Sequence, residues 1–315
     1  MKRRQVRTTG PTLRPRASIL FGFLFPGLLL YMVFMIIPLS GSFGISLFES
    51  GTAEGPTQYP WDNYLALMFS PAWSSLFWPA LLHNGIFFAI QMLVQIPLGL
   101  LFAVLLARRV LRLRAAYRAS LFSPAVLSTV VAGFTWLLIL SPIWGVARDI
   151  LEAIGLGELF EPWLGLQGSA LVTVSLIAVW QSFGVPMMLF LAALVSIPDE
   201  LIEAARMDGA TNGRIFWSVQ LPLIAPTVGV IAVLLFAGSM NAFDLIFTLQ
   251  GPLAGPNYST DVLGTLYYRT FFGGPGIAGN QAMGATIAGM TVLITVIVLV
   301  PYIYFVQRKL PSYAL

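Results

Sequence analysis

Six long apolar stretches constrain what this chain can fold into more than any other feature. A helix needs about 20 apolar residues to cross the hydrocarbon core of a bilayer. Only 10% of the residues are charged, whereas an average soluble domain has about 25%. The sequence therefore predicts an all-α integral membrane protein with six transmembrane helices. The stretches contain no Asp, Glu, Lys or Arg, and they are Ile19–Leu39, Ile86–Ala107, Ala119–Leu140, Ala170–Val195, Leu223–Phe243 and Ala282–Val306.

The 17 Lys and Arg residues fall mainly on one side of the predicted bilayer. The tail 1–18 holds six, segment 108–118 five, segment 206–214 two and the C-terminal tail two, while the other side holds only Arg148 and Arg269. Basic residues accumulate in cytoplasmic loops, so both termini are predicted to be cytoplasmic. The predicted organisation is a cytoplasmic basic tail 1–18, a transmembrane domain 19–306 and a cytoplasmic tail 307–315.

Residue types that are scarce or absent exclude several kinds of chemistry. The chain has no Cys and one His, His83, which excludes disulfides, thiolate catalysis and His-rich metal sites. Lys2 and Lys309 are the two lysines, and neither follows the Gly-x-x-x-x-Gly pattern of a P-loop. We predict no catalytic and no metal-binding residues, and we expect any ATP hydrolysis to occur in a partner subunit. His83 is expected at the membrane interface without a catalytic role.

The loop 196–222 is predicted to form a helix, a turn and a second short helix. Ser196 and Asp199 have the spacing of a capping box, and Gly209 suits the left-handed residue that ends a helix. The second helix leads to Pro222, where the fifth apolar stretch begins. The alternative is an amphipathic segment that lies on the membrane surface.

The same loop carries a spaced pattern with a family resemblance. It resembles the Glu-Ala-Ala signature of ABC importer permeases, in which an Ile stands at the place of Val219. The matching residues are Glu203, Ala204, Ala205, Gly209, Val219, Leu221 and Pro222. Asp208 lies on the same predicted face as Ala204 and Ala205. Phe25-Pro26-Gly27, Pro38 and segment 243–260 are similar to the first membrane subunit of sugar-type permeases, such as those for maltose and glycerol phosphate.

The resemblance implies a type I ABC importer permease in a bacterial or archaeal cytoplasmic membrane. It implies a second permease subunit as heterodimer partner, a dimer of ATP-binding subunits that bind ATP and Mg, and an extracytoplasmic solute-binding protein. It implies no cofactor in this chain and no nucleic acid partner. The Glu-Ala-Ala residues and Asp208 would contact the ATPase.

Candidate substrate-path residues lie in the fourth and fifth stretches or, for Asp244, directly after the fifth: Trp180, Gln181, Asn241, Phe243 and Asp244. A carboxylate near hydrocarbon is costly, so Asp244 should face water, a partner or substrate. Asn241 is placed on the same helical face. Aromatic faces with amide and carboxylate groups suit a sugar site, although hydration of Asp244 at the outer interface and ordinary packing of Trp180 remain alternatives.

The predicted function is a permease subunit that forms the translocation path for a sugar, oligosaccharide or polyol. A membrane-embedded transferase and an ion-coupled secondary carrier are the alternatives. Such a transferase usually needs a cluster of acidic or His residues, and the carboxylates of the outer loops are scattered. A carrier would need ionisable groups within its spans, and the six stretches contain no Asp, Glu, Lys or Arg.

Overall fold

The computed structural model describes residues 17–48, 59–107, 113–274 and 278–307. The basic residues of the two predicted tails lie outside this part of the chain, as do Arg108, Arg109 and Arg112. The predicted charge asymmetry therefore involves many residues whose structure is not described.

Helices dominate the described residues. Those before the loop 196–222 are α1 (Ala17–Tyr31, a π-helical turn Met32–Ile36, and Ile37–Phe48), α2 (Asp62–Phe69), α3 (Pro71–Ile90, a π-helical turn Gln91–Gln95, and Ile96–Ala107), α4 (Arg114–Phe122 with the 3₁₀ turn Ser123–Val126), α5 (Thr129–Ile139), α6 (Val146–Ala153), α7 (Ala170–Ser182) and α8 (Gly184–Val195). The later helices are α9 (Asp199–Met207), α10 (Asn212–Ile215, a π-helical turn Phe216–Gln220, and Leu221–Met240), α11 (Asp244–Gln250), α12 (Leu263–Phe272) and α13 (Gln281–Pro301 with the π-helical turn Tyr302–Val306). Two further 3₁₀ turns cover Gly157–Leu159 and Pro256–Tyr258.

All six predicted stretches are largely helical, but two of them are bent. Among the described residues, four helices are long and apolar enough to cross a membrane, and there are six spans if each bent pair counts as one. The bend is 95° between α4 and α5 and 46° between α7 and α8. The third and fourth predicted stretches are therefore broken helices and not continuous ones. Leu127 and Ser128 are extended, with ψ of 142° and 138°, and Pro186 disfavours a regular helix across Phe183 because its ring conflicts with the carbonyl four residues earlier.

Proline also accounts for three of the π-helical turns. Pro38, Pro97 and Pro222 each lie two residues after the end of such a turn. A proline ring clashes with the carbonyl four residues earlier, and a wider turn relieves that contact while the helix continues. The long helices α1, α3 and α10 therefore continue past these prolines.

Three apolar clusters hold the bundle together. The first joins the second half of α3 to α8 and α10 through Ala103, Met187 and Ile231. The second packs Phe87 of α3 against α7 and α11. The third joins α2, the first half of α3, α12 and α13 through Leu67, Phe77, Leu266 and Ile287. All three clusters include α3, which places this helix at the centre of the described structure.

Asn84 provides a polar connection within this apolar interior. Its side chain is fully buried, its Nδ2 donates to the Ser239 carbonyl at 2.5 Å, and its Oδ1 accepts from the Leu263 amide at 2.8 Å. Ser239 belongs to α10 and Leu263 begins α12. One amide thereby fixes three helices relative to one another, and its hydrogen bonds offset the cost of burying it.

Candidate functional site

A cavity of about 370 Å³ lies between α3, α7, α8, α10 and α11. We call it the central cavity. Its volume falls within the range of about 300–1,000 Å³ that is typical of small-molecule sites. The described side chains that line it include one carboxylate and no Lys, Arg or His. Its polar lining residues are Gln91, Gln95, Thr129, Gln181, Ser182, Asn241 and Asp244.

The π-helical turn in α3 places two glutamines at the central cavity. Gln91 and Gln95 are 7% and 1% exposed. Gln95 Nε2 donates to Ser182 Oγ at 3.1 Å, and Ser182 Oγ donates to the Ala178 carbonyl at 2.7 Å. Gln95 Oε1 is buried without a hydrogen-bond partner among the described residues. A buried acceptor that lines a cavity can take a hydrogen bond from a ligand hydroxyl group.

Gln181 of α7 contacts the bend between α4 and α5. Its Nε2 is 3.3 Å from the Leu127 carbonyl and 3.4 Å from Thr129 Oγ1. These long contacts link α7 to the two-residue break that produces the 95° bend. The amide of Gln181 lines the cavity and also holds the wall formed by Thr129.

Asn241, Phe243 and Asp244 lie where α10 ends and α11 begins. Asn241 follows the last residue of α10, and its Nδ2 donates back to the Ala237 carbonyl at 2.8 Å. Phe243 has φ −150° and ψ −63° outside the helix, and Asp244 starts α11. The prediction that Asn241 and Asp244 share one helical face is therefore wrong, as is the extension of the fifth stretch as helix to Phe243. The break nevertheless brings both polar groups to the cavity, and the first turn of α11 favours a carboxylate electrostatically.

Four of the five predicted substrate-path residues line the central cavity, and Trp180 does not. Its ring packs edge-on against Trp136, with 5.4 Å between centroids. The sequence interpretation missed Gln91 and Gln95, whose spacing of four residues within an apolar stretch was the available signal. It also missed Thr129 and Ser182, because single hydroxyl residues are common in membrane helices.

The loop 196–222 forms the predicted helix and turn with a different beginning. Asp199 starts α9 after Pro198, and Ser196 Oγ donates to the Ala193 carbonyl at 2.8 Å. The predicted capping box is therefore wrong, because Ser196 interacts with the helix before the turn. The end of α9 agrees with the prediction: Gly209 has φ +76°, a conformation that glycine adopts without steric cost.

Two backbone hydrogen bonds close the end of α9. The Ala210 amide donates to the Ala205 carbonyl and the Gly209 amide to the Arg206 carbonyl, both at 3.0 Å. This pair of bonds is the Schellman motif. Glu203, Ala204 and Asp208 are exposed on this short helix, and Ala205 is half-buried.

The second helix of the loop is the first part of α10. Thr211 Oγ1 accepts from the Arg214 amide at 3.4 Å at the helix start, and the helix is continuous from Asn212 to Met240. Val219, Leu221 and Pro222 therefore lie within it. One helix joins the turn at Gly209 to the central cavity, which α10 lines through Ile231, Leu234, Leu235 and Gly238.

Large apolar side chains around the turn lack cover from the described chain. Met207 is 88% exposed and Trp217 68% exposed, and Leu201 is also exposed. Phe216 packs edge-on against Trp217 at 5.2 Å. Exposed apolar groups of this size, grouped at one end of a bundle, indicate a contact surface.

His83 differs from its expected position before the second span. It lies within the first part of α3, is half-buried, and its Nδ1 is 2.7 Å from the Asp261 carbonyl. A carbonyl only accepts, so Nδ1 carries the proton. In the part of the chain that the structure describes, no three His, Asp or Glu side chains lie close enough to hold a metal ion.

The described residues thus form a helical bundle with four to six candidate membrane spans around a cavity with polar side chains in its lining. The chain belongs to the family described as binding-protein-dependent transport system inner membrane component, which matches residues 95–310. This membership confirms the predicted family, and it identifies a transporter subunit rather than an enzyme.

Relatives and solved structures agree with this assignment. A probable ABC transporter permease protein, YurN of Bacillus subtilis, is 32% identical over 252 residues, which are 79% of this chain and 84% of YurN. The trehalose/maltose transport system permease protein MalF of Thermococcus litoralis is 29% identical over 279 residues, 88% of this chain and 90% of MalF. The fold is similar to that of a chain in the bacterial alginate ABC transporter in complex with an alginate pentasaccharide-bound periplasmic protein. That likeness has a TM-score of 0.79 at 22% identity and covers 94% of this chain and 96% of the other.

Proposed function

We propose that this chain is the membrane-spanning permease subunit of an ATP-driven importer and that the central cavity is part of the path of a neutral sugar, oligosaccharide or polyol. The observation that carries the proposal is the lining of this cavity, where three glutamine amides, an asparagine, two hydroxyls and one carboxylate meet without a described cation. Hydroxyl-rich, uncharged solutes need such groups, whereas an anionic solute would need positive charge. Relatives include the trehalose/maltose permease and arabinooligosaccharide permeases of Bacillus subtilis and Halalkalibacterium halodurans.

The proposed topology has six spans, with each bent pair crossing the membrane once and both termini in the cytoplasm. The distribution of Lys and Arg supports this orientation. The tails 1–18 and 307–315 and the turn at Gly209 then share the cytoplasmic side of a bacterial or archaeal membrane, with residues 19–306 as the transmembrane domain.

The loop 196–222 is proposed to dock on an ATP-binding subunit. The exposed Met207 and Trp217 supply apolar contact area beside the exposed Glu203 and Asp208. The proposed coupling residues are Glu203, Ala204, Ala205, Asp208, Gly209, Val219, Leu221 and Pro222. Since α10 is continuous from Asn212 to Met240, movement of the turn would be transmitted to the cavity along one helix. This arrangement suits alternating access, although Asp244 receives the movement only through the break at Phe243.

The proposed assembly contains a second permease subunit, two ATP-binding subunits that hold ATP and Mg, and an external binding protein. The alginate transporter structure, which includes a periplasmic protein, supports the external binding protein in this assembly. The purified chain alone should hydrolyse no ATP, because neither of its lysines lies in a P-loop.

Uptake by cells tests the proposal. A strain that lacks the gene should lose uptake of one or more radiolabelled saccharides from a panel of maltose, trehalose and arabinotriose, and the wild-type gene should restore it. Restored uptake should require ATP and the external binding protein. Unchanged uptake of every saccharide in the deletion strain, or ATP hydrolysis by the isolated chain above a mock preparation, would contradict the proposal.

A further inference from the structure

A second cavity, of about 480 Å³, lies beside α3 and α7, two of the helices that also line the central cavity. We call it the distal cavity, because it lies away from the turn at Gly209. It is formed by the first half of α3, the start of α7 with the residues before it, and segment 257–261. Its polar lining residues are Ser75, His83, Gln167, Asn257, Tyr258, Ser259 and Asp261.

One face of α3 lines both cavities. Leu76, Ala80 and His83 line the distal cavity, and Phe87 and Gln91 line the central one. Steps of four, three, four and four residues keep these side chains on one face of a helix. His83 and Gln91 are eight residues apart, which is about 12 Å along a helix axis. On α7 the same order holds, with Leu171 in the distal and Ala178 in the central cavity.

An apolar layer separates the two cavities. Phe87 is 4% exposed and packs in one buried cluster with Val174, Ala178 and Ile246. The two cavities therefore lie in line on the α3–α7 groove, with Phe87 between them. We propose that the distal cavity is a second binding station for an uncharged saccharide unit, occupied before the solute passes the Phe87 layer. This inference rests on the proposed function.

The polar groups of the distal cavity suit a neutral ligand. Ser259 is 8% exposed, and its Oγ has no hydrogen-bond partner among the described residues. His83 Nδ1 donates to the Asp261 carbonyl, so Nε2 is the ring nitrogen that remains for a ligand. An unsatisfied hydroxyl and a ring nitrogen at one cavity can bind ligand hydroxyl groups.

The charges beside the distal cavity cancel. Asp261 Oδ2 accepts from Arg269 Nη2 at 2.7 Å and Oδ1 from Nη1 at 3.2 Å, and both side chains are 5% exposed. Arg269 also lies over the Tyr258 ring, 4.5 Å from its centroid. The pair holds segment 257–261 against α12 and adds no net charge to the lining, which disfavours an acidic saccharide.

The absence of native Cys makes this inference testable by labelling single introduced cysteines. Ser75→Cys places a thiol at an exposed lining position, and Ser74→Cys is the control on the neighbouring, half-buried residue outside the lining. The full transporter complex is solubilised, and maleimide labelling is measured with and without the saccharide that the same cells take up. We expect that saccharide to slow labelling of Ser75→Cys at least fivefold and to leave Ser74→Cys unchanged.

Variants in each of the two cavities distinguish binding at the distal cavity from binding at the central cavity. Gln95→Leu, or Asn241→Ala if the first variant fails to assemble, should reduce uptake while the saccharide still protects Ser75→Cys. Ser259→Ala should raise the saccharide concentration needed for protection about tenfold, as expected for one lost hydrogen bond. Any of three results would overturn the distal station alone. They are uptake without protection of Ser75→Cys, equal protection of both thiols, and loss of protection in the central-cavity variant. The absence of saccharide uptake by wild-type cells would instead count against the proposed function.

Discussion

Gln95 of α3 donates a hydrogen bond from Nε2 to Ser182 Oγ of α7 at 3.1 Å, and this contact leaves Gln95 Oε1 at the central cavity without a described partner. Ser182 donates its own proton to the Ala178 carbonyl, so Ser182 Oγ must accept the hydrogen bond from Gln95 Nε2. The amide of Gln95 is thereby held in one orientation, with its buried acceptor unpaired. A preorganised acceptor binds a ligand hydroxyl with little loss of side-chain freedom.

Gln95→Leu should raise the KM for saccharide uptake about tenfold while the complex still assembles. The substitution removes the free acceptor, and one hydrogen bond is worth about 0.5–1.5 kcal/mol. Initial uptake rates over a range of saccharide concentrations measure the effect. Ser182→Ala should have a smaller effect, since it removes a positioning partner and leaves the acceptor. A wild-type KM in an assembled Gln95→Leu transporter would remove this residue from the path.

Asp244→Asn should lower uptake, and Trp180→Phe should not. Asp244 lines the central cavity, and hydrogen bonds to a charged group are worth about 1.5–3 kcal/mol, so a roughly tenfold loss is expected. Trp180 contacts Trp136 instead, and Phe preserves much of this packing. Uptake per assembled complex is the measurement. Equal losses in both variants would show that the cavity does not distinguish these positions.

Gly209→Val should uncouple the complex, whereas Gly213→Val should be tolerated. Gly209 has φ +76°, while Gly213 lies in helical backbone with nothing within 4 Å of an added Cβ. The left-handed conformation costs an L-residue roughly 1–2 kcal/mol, and a β-branched side chain is especially disfavoured there. Co-purification of the ATP-binding subunit and ATP-driven uptake measure the result. Two variants that behave alike would argue against a requirement for this turn.

The sequence predicted the helical stretches because lipid leaves backbone polar groups no partners outside a helix. It did not predict the end of α10, since Asn241 and Ala242 carry no strong break signal. At this break, Gly264 of α12, 22 residues later along the chain, packs against the Ala242 carbonyl where a Cβ would not fit. The sequence also could not show that Trp180 packs against Trp136 and does not line the central cavity, because an aromatic ring suits a ligand or another ring equally well.

Within the candidate site, the residue that the sequence singled out most clearly was Asp244, because carboxylates are rare beside apolar stretches. A carboxylate at the edge of an apolar stretch has few acceptable environments, and Asp244 does line the cavity. The buried Asp261 and Arg269 pair was missed, because both residues lie outside the six stretches and the positive-inside count treats Arg269 only as a loop charge. The eight-residue spacing of Asp261 and Arg269 gave no indication that they are in contact. The contact depends on the irregular turn before α12.

Asp261→Asn should destabilise the protein strongly, by about 3–5 kcal/mol, because it leaves Arg269 buried without its countercharge. Glu152→Gln is the matched control. It breaks the exposed Arg148–Glu152 pair, in which the hydrogen bond that Arg148 donates to Glu152 raises the pKa of Arg148, and it should leave stability nearly unchanged. Thermal unfolding of the solubilised complex compares the two. A similar small change in both would show that the buried pair contributes little.

Gly229 of α10 and Gln307 at the end of α13 should behave as a coupled pair. Gln307 Nε2 donates to the Pro226 carbonyl at 2.9 Å, and its side chain lies where a Cβ on Gly229 would be. Gly229→Ala should therefore displace Gln307 and cost about 1–3 kcal/mol, the usual range for overpacking. Gln307→Ala alone should cost less, because Gln307 Oε1 has no partner among the described residues. The double variant should recover most of the loss, since the clash disappears with the longer side chain, and the remaining contact is Tyr302 Oη at 3.0 Å. Melting temperatures of the four proteins form a double-mutant cycle, and strict additivity would show that α10 and α13 are not joined at this point.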